Sequence, residues 1–138
     1  ALVLQTGSAT SFADWMALKW RHYTILSDNI SRRESVSAVA EELASRGVPM
    51  AVVSNSTADE VALCLRATGP DLILPVSVSR MDLLRGKPDP EGYLLAAKRL
   101  GCTPKPCLVV EDSILGAAAA IAAAMTGLLL PPPAPPAR

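Results

Sequence analysis

Residues 107–120 read Cys-Leu-Val-Val-Glu-Asp-Ser-Ile-Leu-Gly-Ala-Ala-Ala-Ala. The run begins apolar, turns acidic at Glu111 and Asp112, and resumes as an Ala-rich stretch after Ser113. Cys107 to Val110 therefore reads as a short buried strand, and Ser113 to Ala124 as a helix folded back over it. A buried strand that ends in charge and runs straight into a helix is the unit of a parallel α/β domain. Two adjacent carboxylates at such an end repel each other and lose hydration. A Mg²⁺ ion would offset that cost, since it prefers carboxylate and water oxygens. The plainer alternative is one outward surface acid beside one helix cap.

The same pattern recurs upstream. Glu34 to Arg46 has Val36, Val39, Ala40 and Leu43 at amphipathic helical spacing, with Gly47 as its stop. Met50 to Val53 is a continuous apolar run that ends in Ser54 and Asn55. Thr57 and Glu60 form a capping box for a helix ending near Gly69. Leu72 to Leu74 and Val76 to Val78 are short β-like pieces around Pro75. Asp89 and Pro90 read as a cap and a first helical position, with the helix stopping at Gly101. Thr126 to Leu130 is a last strand, and Phe12 to Leu26 a first helix joined on by a polar stretch, 28–33. Strands alternating with helices predict an α/β fold, a Rossmann-like parallel sheet with helices on both faces.

Bulk composition narrows the function. The 138 residues suit one core, half of them are hydrophobic, and the formal net charge is zero. Such a balance gives nucleic acid or an anionic membrane nothing to attract. No apolar run reaches the ~20 residues that span a bilayer. Cys64, Cys102 and Cys107 are odd in number and lack metal-like spacing, so they read as small buried hydrophobes in a reducing cytoplasm. The chain opens on Ala rather than Met, as a fragment would, and residues 131–138 are a Pro-rich tail expected to be disordered.

In open α/β sheets, sites form beyond the carboxyl ends of the strands. Ser54 and Asn55 stand at one such end, where a hydroxyl and free backbone N–H groups could hold a phosphate. Taken alone, they are also ordinary turn chemistry. Lys87 sits between Gly86, which allows close backbone approach, and Pro88. An ammonium held there could neutralise a phosphoryl group in transit, or could simply be solvated. His22, the one histidine, reads as a surface residue.

Order and spacing together are more specific than any of these alone. Ser54-Asn55, then Gly86-Lys-Pro-Asp-Pro-Glu-Gly-Tyr-Leu-Leu-Ala-Ala-Lys-Arg-Leu-Gly101, then residues 107–120, closely resemble the haloacid dehalogenase (HAD) superfamily. The match is to its β-phosphoglucomutase-like and phosphoglycolate-phosphatase-like branch, over roughly residues 29–126. The resemblance implies a core domain over 29–130, preceded at 1–28 by the remnant of a helical cap. It makes Ser54 the phosphate-binding hydroxyl, Lys87 the catalytic cation, Glu111 and Asp112 the Mg²⁺ ligands, and Asn55 and Ser113 supporting residues. The implied activity is that of a Mg²⁺-dependent phosphatase or phosphomutase acting on a small phosphorylated metabolite.

The family's Asp-x-Asp nucleophile motif has no counterpart, because no Asp-x-Asp occurs in the chain. Its strand would lie between those ending at Ser54 and Glu111. Without that strand the expected core is incomplete, with two rows of backbone groups exposed. Ala1 to Leu4 could act as a replacement strand, which would put Gln5 at the nucleophile's place; a cap remnant is the favoured reading. Two alternatives to an inactive phosphatase chain are a degenerate relative that binds a phosphorylated ligand or partner without turnover, and a 2-haloacid dehalogenase. The second is disfavoured by the acidic pair, since that branch works without Mg²⁺. The family also usually places Gly where Ala124 stands.

Overall fold

The computed structural model describes residues 11–69 and 73–131. The expectations for residues 1–8, Leu72 and the tail beyond Pro131 lie outside them. The elements are α1 (Phe12–Ile25), α2 (Glu34–Ser45), β1 (Ala51–Val53), α3 (Ala58–Thr68), β2 (Val76–Val78), α4 (Glu91–Arg99), β3 (Leu108–Glu111), α5 (Ile114–Ala122) and β4 (Thr126–Leu129). Short 3₁₀ turns cover Ser27–Asn29 and Arg80–Asp82. The order is that of an α/β protein, and every strand pairing is parallel.

The sheet is split. β1 pairs with β2, Ala51 opposite Val76 and Val53 opposite Val78. β3 pairs with β4, Leu108 opposite Thr126 and Glu111 opposite Leu129. Among the described residues no strand joins the two pairs. Val110 and Leu128, paired across β3 and β4, are exposed on the face opposite Val109. Ile73 and Leu74 do not extend β2; the strand starts only after Pro75, which cannot donate to a ladder.

Apolar packing follows the split. One cluster joins Tyr93 and Ala97 of α4 to Val109, Ala119, Ala120, Ala123 and Met125. A second joins Ala96 of α4 to Val78 and Leu83. Val53 packs against both. The alanines of α5 let the helix lie close on its strands: Ala119 and Ala120 are fully buried, and a Cβ on Gly127 of β4 would stand 3.6 Å from that of Ala120.

The caps form where the sequence places them. Thr57 accepts from Glu60 N at 3.4 Å while Glu60 accepts from Thr57 N at 3.0 Å. Asp89 accepts from Glu91 N at 3.0 Å at the head of α4. α1 docks on α3 through Lys19 and the buried Glu60, 2.6 Å apart, and through Tyr23 and Cys64, 2.9 Å apart. Burial would push the Glu60 carboxyl up, but the hydrogen bond from Lys19 and those of the Thr57 cap hold it below its usual value. His22 is exposed, as expected.

The ends of α4 and α5 are alike in geometry and differ in residue. After α4, Gly101 has a φ of 70°, and Cys102 N donates to Ala97 O at 3.0 Å. After α5, Met125 N donates to Ala120 O at 3.0 Å, and the left-handed position is filled by Ala124 with a φ of 57°. The missing glycine at Ala124 is thus a strained position. A left-handed L-residue costs about 1–2 kcal/mol, while glycine loses more freedom on folding. Ala124→Gly is expected to stabilise the chain by about 0.5–1 kcal/mol, opposite in sign to Ala→Gly inside a helix. A urea midpoint that falls in the variant would contradict the strain.

Candidate active site

Both strand pairs point their carboxyl ends at one open cleft of about 600 Å³, lined by Ser54, Asn55, Lys87, Glu111, Asp112 and Ser113 among others. All six residues singled out from the sequence therefore meet in one place. Parallel strands make this possible, because each ends its apolar run on the same edge.

Lys87 is the centre of the arrangement. Its ammonium is ion-paired with Glu111 and also donates to the carbonyl of Val53 at 3.0 Å. The same Nζ lies 5.1 Å above the ring of Tyr93. One cation thus ties the end of β1 to the end of β3. Asn55 aims it: Asn55 Oδ1 accepts from Lys87 N at 3.0 Å, and Asn55 Nδ2 donates to Lys87 O at 3.4 Å. Gly86 is needed beside this clamp, since a Cβ there would stand 2.7 Å from Asn55 Oδ1.

The two acids part company. Asp112 is exposed, whereas Glu111 is buried at 9% exposure. Glu111 Oε1 takes the Lys87 ammonium and the Tyr93 hydroxyl, the latter at 2.5 Å. Glu111 Oε2 takes Asp112 N at 3.2 Å, Ser113 N at 3.3 Å and Ser113 Oγ at 2.9 Å. Burial would push this carboxyl up, but hydrogen bonds from Lys87, Tyr93 and Ser113 with the Lys87 charge bring it down to about 2. The Tyr93 hydroxyl is pushed up, by burial first and by its bond to Glu111 second. Ser113 also caps α5, accepting from Gly116 N at 3.0 Å.

Ser54 Oγ accepts from Ser56 N at 3.1 Å, which is turn chemistry. Ser54 also lines the cleft. Sequence reading missed three contributors. Tyr93 and Gly116 stood inside the quoted stretches with no role assigned to them. Arg33 lay in a stretch read only as polar connection, yet it lines the cleft. Its Nη2 donates to Pro131 O at 2.9 Å, and its buried Nη1 has no partner among the described residues. A run of two arginines before a helix was the available signal.

Whether this set can hold Mg²⁺ is a question of donors. Both Glu111 oxygens are already engaged, which leaves Asp112 as the open carboxylate. Among the described residues no three His, Cys, Asp or Glu side chains gather as a metal group. Mg²⁺ demands near-octahedral oxygen coordination, so the residues present do not make a complete site. Millimolar Mg²⁺ is therefore expected to raise the melting temperature by no more than about 1–2 °C, as a ligand near its Kd would. Asp112→Asn should abolish even that; identical responses of the folded wild type and variant would remove Asp112 from consideration.

Known proteins share this fold. The family described as haloacid dehalogenase-like hydrolase matches residues 4–124. A haloacid dehalogenase-like hydrolase domain-containing protein of Arabidopsis thaliana is 36% identical over 120 residues, covering 82% of this chain and 36% of that protein. Hexitol phosphatase A of Escherichia coli is 32% identical over 96 residues, covering 69% and 44% respectively. A HAD family hydrolase of Deinococcus radiodurans, solved with bound phosphate and sodium, superposes with a TM-score of 0.71 at 32% identity, covering 86% of this chain and 53% of that one. The chain spans about a third of the length of the first of these relatives, 36%. No helix among the described residues is long and apolar enough to cross a membrane.

Proposed function

Because this chain belongs to the haloacid dehalogenase-like hydrolases, in their phosphoglucomutase- and phosphatase-like branch, we propose that it carries the phosphate-handling half of a phosphatase or phosphomutase site. The substrate class is a small phosphorylated metabolite. The observation that carries the reading is the Lys87–Glu111 pair suspended between the two strand ends, beside the Ser54 hydroxyl. A phosphoryl group entering the cleft would take a hydrogen bond from Ser54 and have its charge offset by Lys87. Asn55 would hold the Lys87 backbone in place, and Glu111 would keep the ammonium oriented. Mg²⁺, if bound at Asp112, would supply further charge neutralisation at the phosphate oxygens.

A nucleophile is the missing part, since the family's Asp-x-Asp occurs nowhere in these residues. The reaction through an aspartyl-phosphate therefore needs a residue this chain lacks. The 138-residue chain is expected to release no phosphate from p-nitrophenyl phosphate with Mg²⁺ above the rate of a Lys87→Met control. Turnover that is present in the wild type and abolished by Asp112→Asn would mean another side chain serves as nucleophile. A second reading, a relative that binds phosphorylated ligands without turnover, is favoured by a cleft that holds Lys87 and Ser54 in a chain without the family's Asp-x-Asp. Inorganic phosphate protecting the wild type against thermal unfolding, but not Lys87→Met relative to its own baseline, would support binding without chemistry.

A further inference from the structure

We propose that Cys102 and Cys107 form a site of reversible oxidation, closing to an intramolecular disulfide by exchange with a small disulfide of the oxidised-glutathione class. Their Sγ atoms stand 3.6 Å apart, and a disulfide bond is about 2.05 Å long, so modest side-chain rotation closes the gap. Both cysteines are free. Their other contacts are to backbone carbonyls, Cys102 to Ala97 at 3.5 Å and Cys107 to Thr103 at 3.3 Å. Thiols are weak donors, so little is lost when they turn away.

The turn between them is set before any bond forms. Cys102 N donates to Ala97 O at 3.0 Å and Cys107 N to Pro104 O at 2.9 Å. Pro104 and Pro106 fix two of the four intervening φ angles. The pair is therefore held in a near-attack arrangement. It lies at the start of β3, and Glu111 lies at the end, so the two thiols form a site apart from the cleft. The expectation of buried, inert cysteines fails here because Cys102, two residues past the α4 cap, is exposed, while Cys107 is half-buried against the core.

Exposure gives the order of events. Cys102 as thiolate attacks one sulfur of the small disulfide; its S–S bond breaks, and one thiolate leaves and takes up a proton. Cys107 then loses its proton and attacks the Cys102 sulfur, expelling the second small thiol. Two protein thiols are oxidised by two electrons, and one small disulfide is reduced to two thiols. Burial, with a smaller contribution from the Cys102 neighbour, raises the Cys107 thiol above its ordinary range. Ring closure should therefore accelerate as pH rises.

The test uses the whole 138-residue chain and oxidised glutathione. The thiol titre is expected to fall from three per chain to one, with no glutathione retained on the intact mass. Trypsin should place the new bond on the single peptide that begins at Leu100, since Lys105 precedes Pro106. Cys64→Ser should lose both of its thiols just as readily, and Cys107→Ser should stop as a glutathione adduct on Cys102. If Cys107→Ser proves unfolded, the wild type alone decides: closure should be faster in the native chain than in urea. A wild type that keeps glutathione on Cys102, that links Cys64, or that closes no faster folded than unfolded would overturn the proposal.

Discussion

Lys87→Met is expected to lower the unfolding free energy by about 3–5 kcal/mol, the cost of leaving a buried charge without its partner. Glu111 is buried, and its carboxyl is kept ionised chiefly against burial by Lys87 and Tyr93. Without the ammonium, Glu111 must take up a proton or stay charged with only its hydroxyl and backbone N–H donors. The Val53 carbonyl loses its donor as well. Lys87→Met/Glu111→Gln should regain part of the loss, because the charge goes with its partner. A double-mutant cycle in urea measures that coupling, expected at about 2–3 kcal/mol. A loss below about 1 kcal/mol in the single variant would return Lys87 to the status of a solvated loop lysine.

Gly116→Ala should be destabilising by about 3 kcal/mol, although helix propensity alone predicts a gain of about 1 kcal/mol. Gly116 lies in the first turn of α5, directly against the Glu111 side chain. A Cβ built on it overlaps the Glu111 carboxylate, backed by the Ser113 and Tyr93 hydrogen bonds. Glu111 would have to leave the position in which it meets Lys87. Exposed Ala118 on the same helix supplies the comparison: Ala118→Gly should cost only the propensity term. Thermal unfolding of the two variants decides the matter, and a Gly116→Ala protein as stable as wild type would mean the carboxylate can move at little cost.

These two residues mark where the sequence was legible and where it was not. Lys87 could be found from its motif, because a cation between Gly86 and Pro88 follows a local rule. Ser54, Glu111 and Asp112 could be found because each follows an apolar run, and parallel strands carry such ends to one edge. Gly116 was not legible, since one-dimensional rules score a helical glycine only as a loss. Its reason is a carboxylate that reaches it across the strand–helix turn. Tyr93 was hidden because one side chain serves as core and as hydrogen-bond donor at once. The unequal fates of Glu111 and Asp112 follow from strand alternation, which turns Glu111 inward with Val109; the acidic pair alone does not say which neighbour will meet the inward one.

Among the described residues the two strand pairs share no ladder, and this bears on how the chain comes apart. β1 and β2 are held by one apolar cluster, and β3, β4 and α5 by another, with α4, Val53 and the Lys87 clamp spanning the two. A continuous sheet would make the loss of any strand felt throughout, as a single cooperative event. Among the described residues each pair keeps its own ladder, so each lobe is expected to open while its neighbour keeps its amide bonds, as two foldons riveted along one helix. The rivet is built from the site itself. A ligand that tightens Lys87 between Val53 and Glu111 would raise the cooperativity of the whole chain, linking occupancy of the cleft to whether the protein unfolds in one step or two.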